Sequence, residues 1–187
     1  MAQLSGKTIA ILSTNGFEQS ELEKPLAWLR KEGATVHVIA PEAGEIKGWD
    51  DKDWGASVPV DKVLSDAVVT DYDALVLPGG QMNPDILRAN PDAVAFVRDF
   101  YNDGKTIAAI CHAPWLLIEA GVLKGKNATS YKSIKTDVIN AGAEWRDEAV
   151  VTDEGVITSR QPDDIPAFCE KIAEEILEGE HSRTPIA

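Results

Sequence analysis

Short apolar runs alternate along the chain with longer segments in which apolar side chains recur every three or four positions. The runs predict buried strands, at residues 7–13, 35–40, 74–77 and 106–110. The spaced segments predict helices, at residues 20–32, 91–102, 114–120 and 134–140, and a last one beginning near residue 163. Because strands and helices alternate, we expect an α/β protein: a single-domain, three-layer α/β/α sandwich around a mainly parallel sheet.

The polar segment at residues 41–57 carries Trp49 and Trp54 among acidic residues. We interpret it as a long loop with two partly buried anchors; the alternative is that the tryptophans cap the domain or join a subunit interface. Short strands are expected at 58–60 and 128–130, and a hairpin at the sheet edge at 149–152 and 156–159. The core then covers about residues 6–178 of a domain spanning 1–187, followed by a flexible tail at 179–187.

The composition narrows the range of partners. The net charge is −13 and the pI is near 4.6, so the surface repels polyphosphate, and we expect neither nucleic acid nor anionic lipid as a partner. No apolar run approaches the ~20 residues of a membrane span, and residues 1–6 lack the features of a signal peptide. These observations predict a cytoplasmic protein whose two cysteines are reduced thiols.

Three predicted strands end in residues that can carry chemistry. Glu18 follows the first strand, Gly79 and Gly80 end the third core strand, and Cys111 with His112 stands where an apolar run stops before a helix. The carboxyl ends of parallel strands border one crevice in such a sheet, so these residues can converge there. The strand, sharp turn and helix predicted around Cys111 are typical of a nucleophile elbow.

The residue types at these positions suggest complementary roles. A cysteine attacks as the thiolate, and a helix N-terminus lowers its pKa. The backbone amide of His112 and one from the glycine pair can face a developing oxyanion. A charged Glu18 would raise the pKa of the thiol, so Glu18 helps only if its own pKa is well above the usual value. It can then donate a hydrogen bond to the sulfur and pass a proton to an intermediate.

His112 is the candidate base, and its imidazole must fold back around the turn to accept the thiol proton. Asp85 is the leading candidate to orient that ring, although a loop carboxylate can also cap a helix. Cys169 lies on an apolar helix face and is assigned to the core, His37 to a strand and His181 to the tail. The chain has no C-x-x-C pair and no glycine-rich phosphate motif, so we expect neither a metal nor a cofactor.

Several ordered motifs span nearly the whole chain. They are GFE at 16–18 with Glu21, Leu22 and Pro25, LPGG at 77–80, AICHAP at 109–114, residues 131–134, NAGAE at 140–144, and TSR at 158–160 with Pro162. Together they resemble the ThiJ/PfpI superfamily, most closely its intracellular-protease (PfpI-type) branch, which is related to class I glutamine amidotransferases.

The resemblance implies a flavodoxin-like fold, a nucleophile at Cys111, a neighbouring acid at Glu18, and oxyanion donors from the Gly80 and His112 backbones. It also implies a homo-oligomer, either a dimer or a hexamer. Tyr131 matches a tyrosine beside the family's site, where it either contacts substrate or packs at an interface. Tyr131 and Gly79 are the two residues expected to lie next to the substrate.

Two residues depart from the family's pattern. In the protease-like members a Glu from a neighbouring subunit orients the histidine, and the matching residue here is Asp85, which is one methylene shorter. Ala113 stands where glycine is commoner and narrows the space at the elbow. The shorter carboxylate makes a peptidase less expected than an enzyme with a small substrate.

Members of this superfamily are described as proteases, glyoxalases, deglycases, chaperones or oxidative-stress sensors, and two functions fit the residues. The first is a cytosolic stress-response hydrolase or lyase without a cofactor, in which Cys111 adds to a carbonyl or acyl carbon of a small molecule or peptide. We favour a small dicarbonyl or its amine adduct. The second is a non-enzymatic oxidative-stress sensor or chaperone in which Cys111 is oxidised to sulfenate or sulfinate.

Overall fold

A computed structural model describes residues 3–187 as a central sheet with helices on both faces. The strands are β1 (Thr8–Leu12), β2 (Phe17–Glu18), β3 (Thr35–Ala40), β4 (Glu45–Asp50), β5 (Asp53–Pro59), β6 (Lys62–Val63), β7 (Ala74–Leu77), β8 (Thr106–Ile110), β9 (Asn127–Ala128), β10 (Glu144–Trp145), β11 (Val150–Asp153) and β12 (Val156–Ser159). The α-helices are α1 (Gln19–Lys31), α2 (Met82–Arg88), α3 (Pro91–Asn102), α4 (Pro114–Glu119), α5 (Lys135–Asn140) and α6 (Ile165–Glu178). Short 3₁₀ turns lie at Leu64–Asp66, Val69–Asp71, Lys132–Ile134 and Pro162–Asp164.

The main sheet has seven strands in the order β11-β12-β8-β7-β1-β3-β6. Every neighbouring pair is parallel except β11 with β12, which form the hairpin predicted at the sheet edge. The carboxyl ends of β1, β7 and β8 therefore lie side by side at one edge of the sheet. The turns that follow these strands carry the candidate residues, and the parallel order brings those turns together.

Two apolar layers hold the helices against the sheet. On one face, Leu22 and Leu29 of α1 and Phe168 of α6 pack with Ile9 and Ile11 of β1. On the other face, the buried side chains of α3 and α4 pack against the opposite sides of β1, β7 and β8. This arrangement confirms the predicted single-domain, flavodoxin-like three-layer sandwich with a mainly parallel sheet.

The polar segment predicted as a long loop is instead a β-hairpin. Strands β4 and β5 pair antiparallel, and β4 also pairs with β2 to form a separate three-stranded sheet. Trp49 and Trp54 face each other across the hairpin with ring centroids 5.6 Å apart, a cross-strand aromatic pair that stabilises it. Trp49 is half-buried and Trp54 is 45% exposed. The prediction of a loop was wrong because the polar composition concealed this pairing.

Two helical features also differ from the sequence prediction. Helix α2 lacks an apolar period and was not predicted; Pro84 fits its first turn, where backbone N–H groups need no partner within the helix. Helix α1 was expected to be kinked or delayed by Pro25, but it begins at Gln19 and continues past the buried proline to Lys31.

The C-terminal tail, predicted to be flexible, is held against the domain. His181 N–H donates to the Gly104 carbonyl at 2.7 Å, and Asn102 and Ile186 exchange hydrogen bonds of 2.9 and 3.0 Å. The Arg183 guanidinium lies over the Tyr101 ring, 4.9 Å from its centroid. The polar composition predicts a loose tail because it does not show that these partners lie within reach. Among residues 3–187, no helix has the length and apolar character needed to cross a membrane.

Candidate functional site

A cavity of about 550 Å³ opens at the carboxyl ends of the parallel strands. Its walls combine a thiol, an imidazole, carboxyl groups and two aromatic rings. The lining residues that matter for its chemistry are Glu18, Glu21, Trp49, Gly80, Cys111, His112 and Tyr131. All predicted site residues except Gly79 and Asp85 line this cavity, and Gly79 lies directly behind Cys111.

The backbone around Cys111 forms the predicted elbow between β8 and α4. Cys111 has φ of +65°, a left-handed conformation that costs a non-glycine residue about 1–3 kcal/mol unless its surroundings impose it. Two backbone hydrogen bonds hold Cys111 in this conformation. Cys111 N–H donates to the Ser159 carbonyl at 3.0 Å, and Tyr131 N–H donates to the Cys111 carbonyl at 2.8 Å. A side chain on Gly79 would bring its Cβ within 2.7 Å of the Cys111 Cβ, so only glycine fits behind the elbow.

The carboxyl group beside the thiol belongs to Glu21, which the sequence analysis did not assign to the site. Glu21 lies in the first turn of α1 and is fully buried. Its Oε2 accepts a hydrogen bond of 2.8 Å from Gly79 N–H, while its buried Oε1 has no hydrogen-bond partner among residues 3–187. Burial raises the pKa of Glu21 from 4.5 to about 8, and the nearby Glu18 carboxylate adds to this shift. Glu21 is therefore mostly protonated at pH 7.

Glu18, the acid expected from the sequence, lines the same cavity. It caps the start of α1 and accepts a hydrogen bond of 3.3 Å from the Ser20 hydroxyl. Burial raises the pKa of Glu18, in the direction that the sequence hypothesis required. The carboxyl group that acts on the Cys111 thiol, however, is that of Glu21. Glu18 ends β2, whereas Glu21 lies one turn into α1, and the sequence carries no local signal that separates the two carboxyl groups.

The Cys111 thiol differs from the sequence expectation of a thiol whose pKa is lowered by a helix N-terminus. The residue is only 7% exposed, and burial together with the Glu21 carboxyl raises its pKa. The backbone amides of Gly80 and His112 act in the opposite direction and lower it. Formation of the thiolate therefore depends on Glu21 remaining neutral, since a protonated carboxyl removes the repulsion between the two charges.

The imidazole of His112 folds back around the elbow, as predicted. Its Nδ1 lies 3.2 Å from Cys111 Sγ, and its Nε2 lies 3.1 Å from the Ser133 hydroxyl. The Tyr131 ring stacks on the imidazole with centroids 4.9 Å apart, so Tyr131 lies directly beside the thiol–imidazole pair. Burial lowers the pKa of His112, which keeps the ring neutral and able to accept a proton.

Asp85 does not orient His112 within the chain. It lies in the first turn of α2 with an exposed side chain, and its Oδ1 accepts a hydrogen bond of 2.9 Å from Arg88 Nε. The unpredicted helix α2 causes this placement, because it directs Asp85 towards the residue three positions later on its own surface. A contact between Asp85 and His112 across a subunit boundary remains a prediction from the sequence.

The two expected oxyanion donors are close to the sulfur. Gly80 has φ of +81°, and a Cβ there would lie 2.6 Å from the backbone nitrogen of Glu18, so glycine is required for this approach. The amides of Gly80 and His112 both stabilise negative charge at Cys111. A substrate oxygen bound next to the sulfur would meet the same two donors.

Asp51 also lines the cavity, whereas Cys169 and a cluster of possible metal ligands lie outside it. Cys169 is buried in α6, as predicted. Outside the cavity, the ligand atoms of Glu175, Glu178 and His181 lie within 4.8 Å of one another, a spacing that could suit a metal ion. Arg183 already supplies a positive charge beside Glu175, so the cluster of Glu175, Glu178 and His181 is a weaker cation site.

Comparison with known proteins agrees with this geometry. The sequence profile of the DJ-1/PfpI family matches residues 7–175. Protein/nucleic acid deglycase 2 of Escherichia coli (strain K12) is 48% identical over 164 residues, which cover 87% of this chain and 93% of that protein. Putative cysteine protease YraA of Bacillus subtilis (strain 168) is 43% identical over 163 residues, which cover 87% and 94%.

The fold is shared with a solved structure as well. The crystal structure of Drosophila melanogaster DJ-1beta superposes with a TM-score of 0.81 at 32% identity, over 92% of this chain and 94% of that one. The family profile, the two relatives and the fold all agree with the resemblance drawn from the motifs. The chain therefore belongs to the DJ-1/PfpI family.

Proposed function

We propose that this chain is a cytoplasmic stress-response enzyme, independent of cofactors, in which Cys111 attacks a small reactive dicarbonyl or the adduct of a dicarbonyl with an amine. The observation that carries the proposal is the position of the Cys111 thiol between the neutral His112 imidazole and the protonated Glu21 carboxyl. These three groups supply a nucleophile, a base and an acid at one point of the cavity. The name deglycase, borne by a relative with 48% identity, supports the same choice.

With methylglyoxal as substrate, the first step joins Cys111 Sγ to the aldehyde carbon. The thiol proton passes to His112 Nδ1, 3.2 Å away. The π electrons of the carbonyl move to its oxygen, which lies near the amides of Gly80 and His112 and takes the proton of Glu21. The product is a neutral hemithioacetal, with an ionised Glu21 and a protonated His112.

The second stage moves hydrogen between the two substrate carbons. Ionised Glu21 removes the proton from the carbon bonded to sulfur, and the ketone oxygen takes the proton of His112, which gives an enediol. Glu21 then delivers its proton to the second carbon while the first hydroxyl returns its proton to His112. Ionised Glu21 takes a proton from the water that attacks the lactoyl thioester, and protonated His112 gives its proton to the departing Cys111 sulfur, which restores the thiol, Glu21 and His112. Lactic acid leaves and ionises to lactate.

An amine adduct of methylglyoxal enters the same series of reaction steps when the Cys111 sulfur replaces the amine on one carbon. The carbon–sulfur bond forms, the carbon–nitrogen bond breaks, and protonated His112 gives its proton to the departing amine. Peptide cleavage is less favoured than either reaction, because no carboxylate within residues 3–187 pairs with His112 to stabilise its charged form.

The test is formation of lactate from methylglyoxal by the wild-type protein and two cysteine variants. Cys111→Ala should reduce lactate formation to the background of buffer, because it removes the nucleophile. Cys169→Ala is the matched control: it removes the other thiol, which lies in the core, and should retain turnover at a temperature where it is folded. A fluorogenic peptide, assayed in parallel, should not be cleaved above the Cys111→Ala background.

Equal lactate formation by the wild-type protein and Cys111→Ala would remove Cys111 as the nucleophile. Cleavage of the peptide without any lactate would instead favour the peptidase function suggested by the name of the Bacillus subtilis relative.

A further inference from the structure

The ring nitrogen of His112 that faces away from the thiol contacts Ser133. The Ser133 hydroxyl lies 3.1 Å from Nε2, while Nδ1 lies 3.2 Å from Cys111 Sγ. Ser133 belongs to the 3₁₀ turn Lys132–Ile134, which starts directly after Tyr131. Because Tyr131 N–H donates to the Cys111 carbonyl, the backbone holds this turn next to the elbow.

This geometry selects one form of the neutral imidazole. To accept the thiol proton, Nδ1 must present a lone pair, so the ring must carry its proton on Nε2. The Ser133 oxygen can accept a hydrogen bond from that proton. We infer that Ser133 is the positioning residue that holds the His112 ring in the tautomer able to deprotonate Cys111, the role that the sequence assigned to Asp85. The expected effect of Ser133 on turnover rests on the proposed function, whereas its effect on the reactivity of Cys111 does not.

The side chains that pack against the His112 imidazole are uncharged, so a neutral group orients the ring. The Tyr131 and Trp115 rings pack against the imidazole, with centroids 4.9 and 5.2 Å away. On the Trp115 ring, Asp137 accepts from Nε1 at 2.8 Å and the Arg88 guanidinium lies 4.4 Å from the ring centroid. Lys132 adjoins Ser133 in the same turn. Three carboxyl groups line the cavity, those of Glu18, Glu21 and Asp51, and Glu21 is the one that acts on Cys111.

A hydroxyl acceptor has a different consequence from a carboxylate. It fixes the orientation of the ring, but it adds no negative charge that would stabilise the imidazolium. The charged form of His112 is then short-lived, which suits rapid proton exchange during addition to a carbonyl.

The experiment measures alkylation of Cys111 by iodoacetamide between pH 6 and 9, a reaction that needs no substrate. Mass spectrometry of the Cys111 peptide separates it from alkylation of Cys169. Ser133→Ala should slow the reaction about fivefold at pH 7, as expected for loss of one neutral hydrogen bond. Ser133→Thr should restore the rate, because its hydroxyl can take the same place.

A third variant tests the charge argument. Ser133→Asp should raise the pKa of His112 and shift the midpoint of the rate–pH profile upward by about one unit, because it places a carboxylate beside Nε2. In the lactate assay, Ser133→Ala should lower kcat with KM unchanged, since the hydroxyl positions the base rather than the substrate. A merely structural role would leave the pH profile of the alkylation unchanged.

Ser5→Ala is the control, because it removes an exposed hydroxyl near the N-terminus and should match the wild-type protein. Asp85→Asn tests the alternative that Asp85 orients His112 across a subunit contact. If Asp85→Asn slows alkylation while Ser133→Ala alkylates at the normal rate, the role belongs to Asp85 and the inference is overturned. A normal alkylation rate in a folded Ser133→Ala also overturns it, whether or not lactate forms. Absence of lactate in the wild-type protein, with Ser133→Ala still slow in alkylation, refutes only the proposed function.

Discussion

Replacement of Glu21 by Gln tests the central electrostatic feature of the site. Glu21 is fully buried, with Oε2 bonded to Gly79 N–H and Oε1 without a partner among residues 3–187. Gln has nearly the same shape and can still accept from Gly79, but it does not ionise. The variant therefore isolates the effect of one titrating group on the free energy of unfolding.

The magnitude follows from the pKa of the folded state. A rise from 4.5 to about 8 means that the native protein binds a proton between these pH values while the unfolded chain has released it. The native state is thus favoured below pH 4.5, and this advantage is lost as the pH rises to about 8. At 1.36 kcal/mol per unit, the full loss is about 5 kcal/mol, and the part between pH 5.5 and 7.5 is about 3 kcal/mol.

Chemical denaturation followed by fluorescence of the five tryptophans measures this difference. The free energy of unfolding of Glu21→Gln, minus that of the wild-type protein, should increase by about 3 kcal/mol from pH 5.5 to 7.5. Glu23→Gln provides the matched control, because it removes a carboxylate from the same helix outside the cavity. Reducing agent keeps both cysteines as thiols throughout.

A difference between Glu21→Gln and the wild-type protein that stays constant within about 0.5 kcal/mol would show that Glu21 is already ionised at pH 5.5. The account of a protonated acid beside Cys111 would then fail. Where the account holds, Glu21→Gln should also retain alkylation of Cys111 but form lactate at least about 100-fold more slowly, because an amide donates a hydrogen bond without transferring a proton.

Two further substitutions test the backbone at the site and the packing of the tail. Gly80→Ala should destabilise the protein by about 2 kcal/mol or more, since φ is +81° and the added Cβ would lie 2.6 Å from the Glu18 nitrogen; an unchanged denaturation midpoint would contradict this. Arg183→Ala should lower the free energy of unfolding by about 2 kcal/mol and Tm by roughly 4–8 °C, because the guanidinium donates hydrogen bonds to the Tyr101 and Glu154 carbonyls. Thermal unfolding measures the change in Tm. An unaltered Tm would show that the tail is loose in solution, as the sequence suggested.

The parts of the fold that could be predicted are those with a local pattern. Strand β3 and helix α3 occur at the predicted residues because each has an apolar period of its own, and α3 has an N-cap at Asn90 and Pro91 in its first turn. The β4–β5 hairpin and α2 could not be predicted in the same way. Their side chains are polar or irregular along the chain, and pairing with β2 or packing on neighbouring elements stabilises them.

The sequence by itself determined the alternation of strands and helices, the elbow at Cys111 and the glycines behind it, because hydrophobic period and turn chemistry are properties of neighbouring residues. Only the tertiary structure decided which carboxyl group meets the thiol and what holds the other side of the imidazole. Glu18 ends β2 and Glu21 lies in the first turn of α1, so the packing of that turn against the elbow decides that Glu21 and not Glu18 acts on the thiol. Ser133 reaches His112 because the hydrogen bond between Tyr131 and Cys111 brings a distant turn to the elbow.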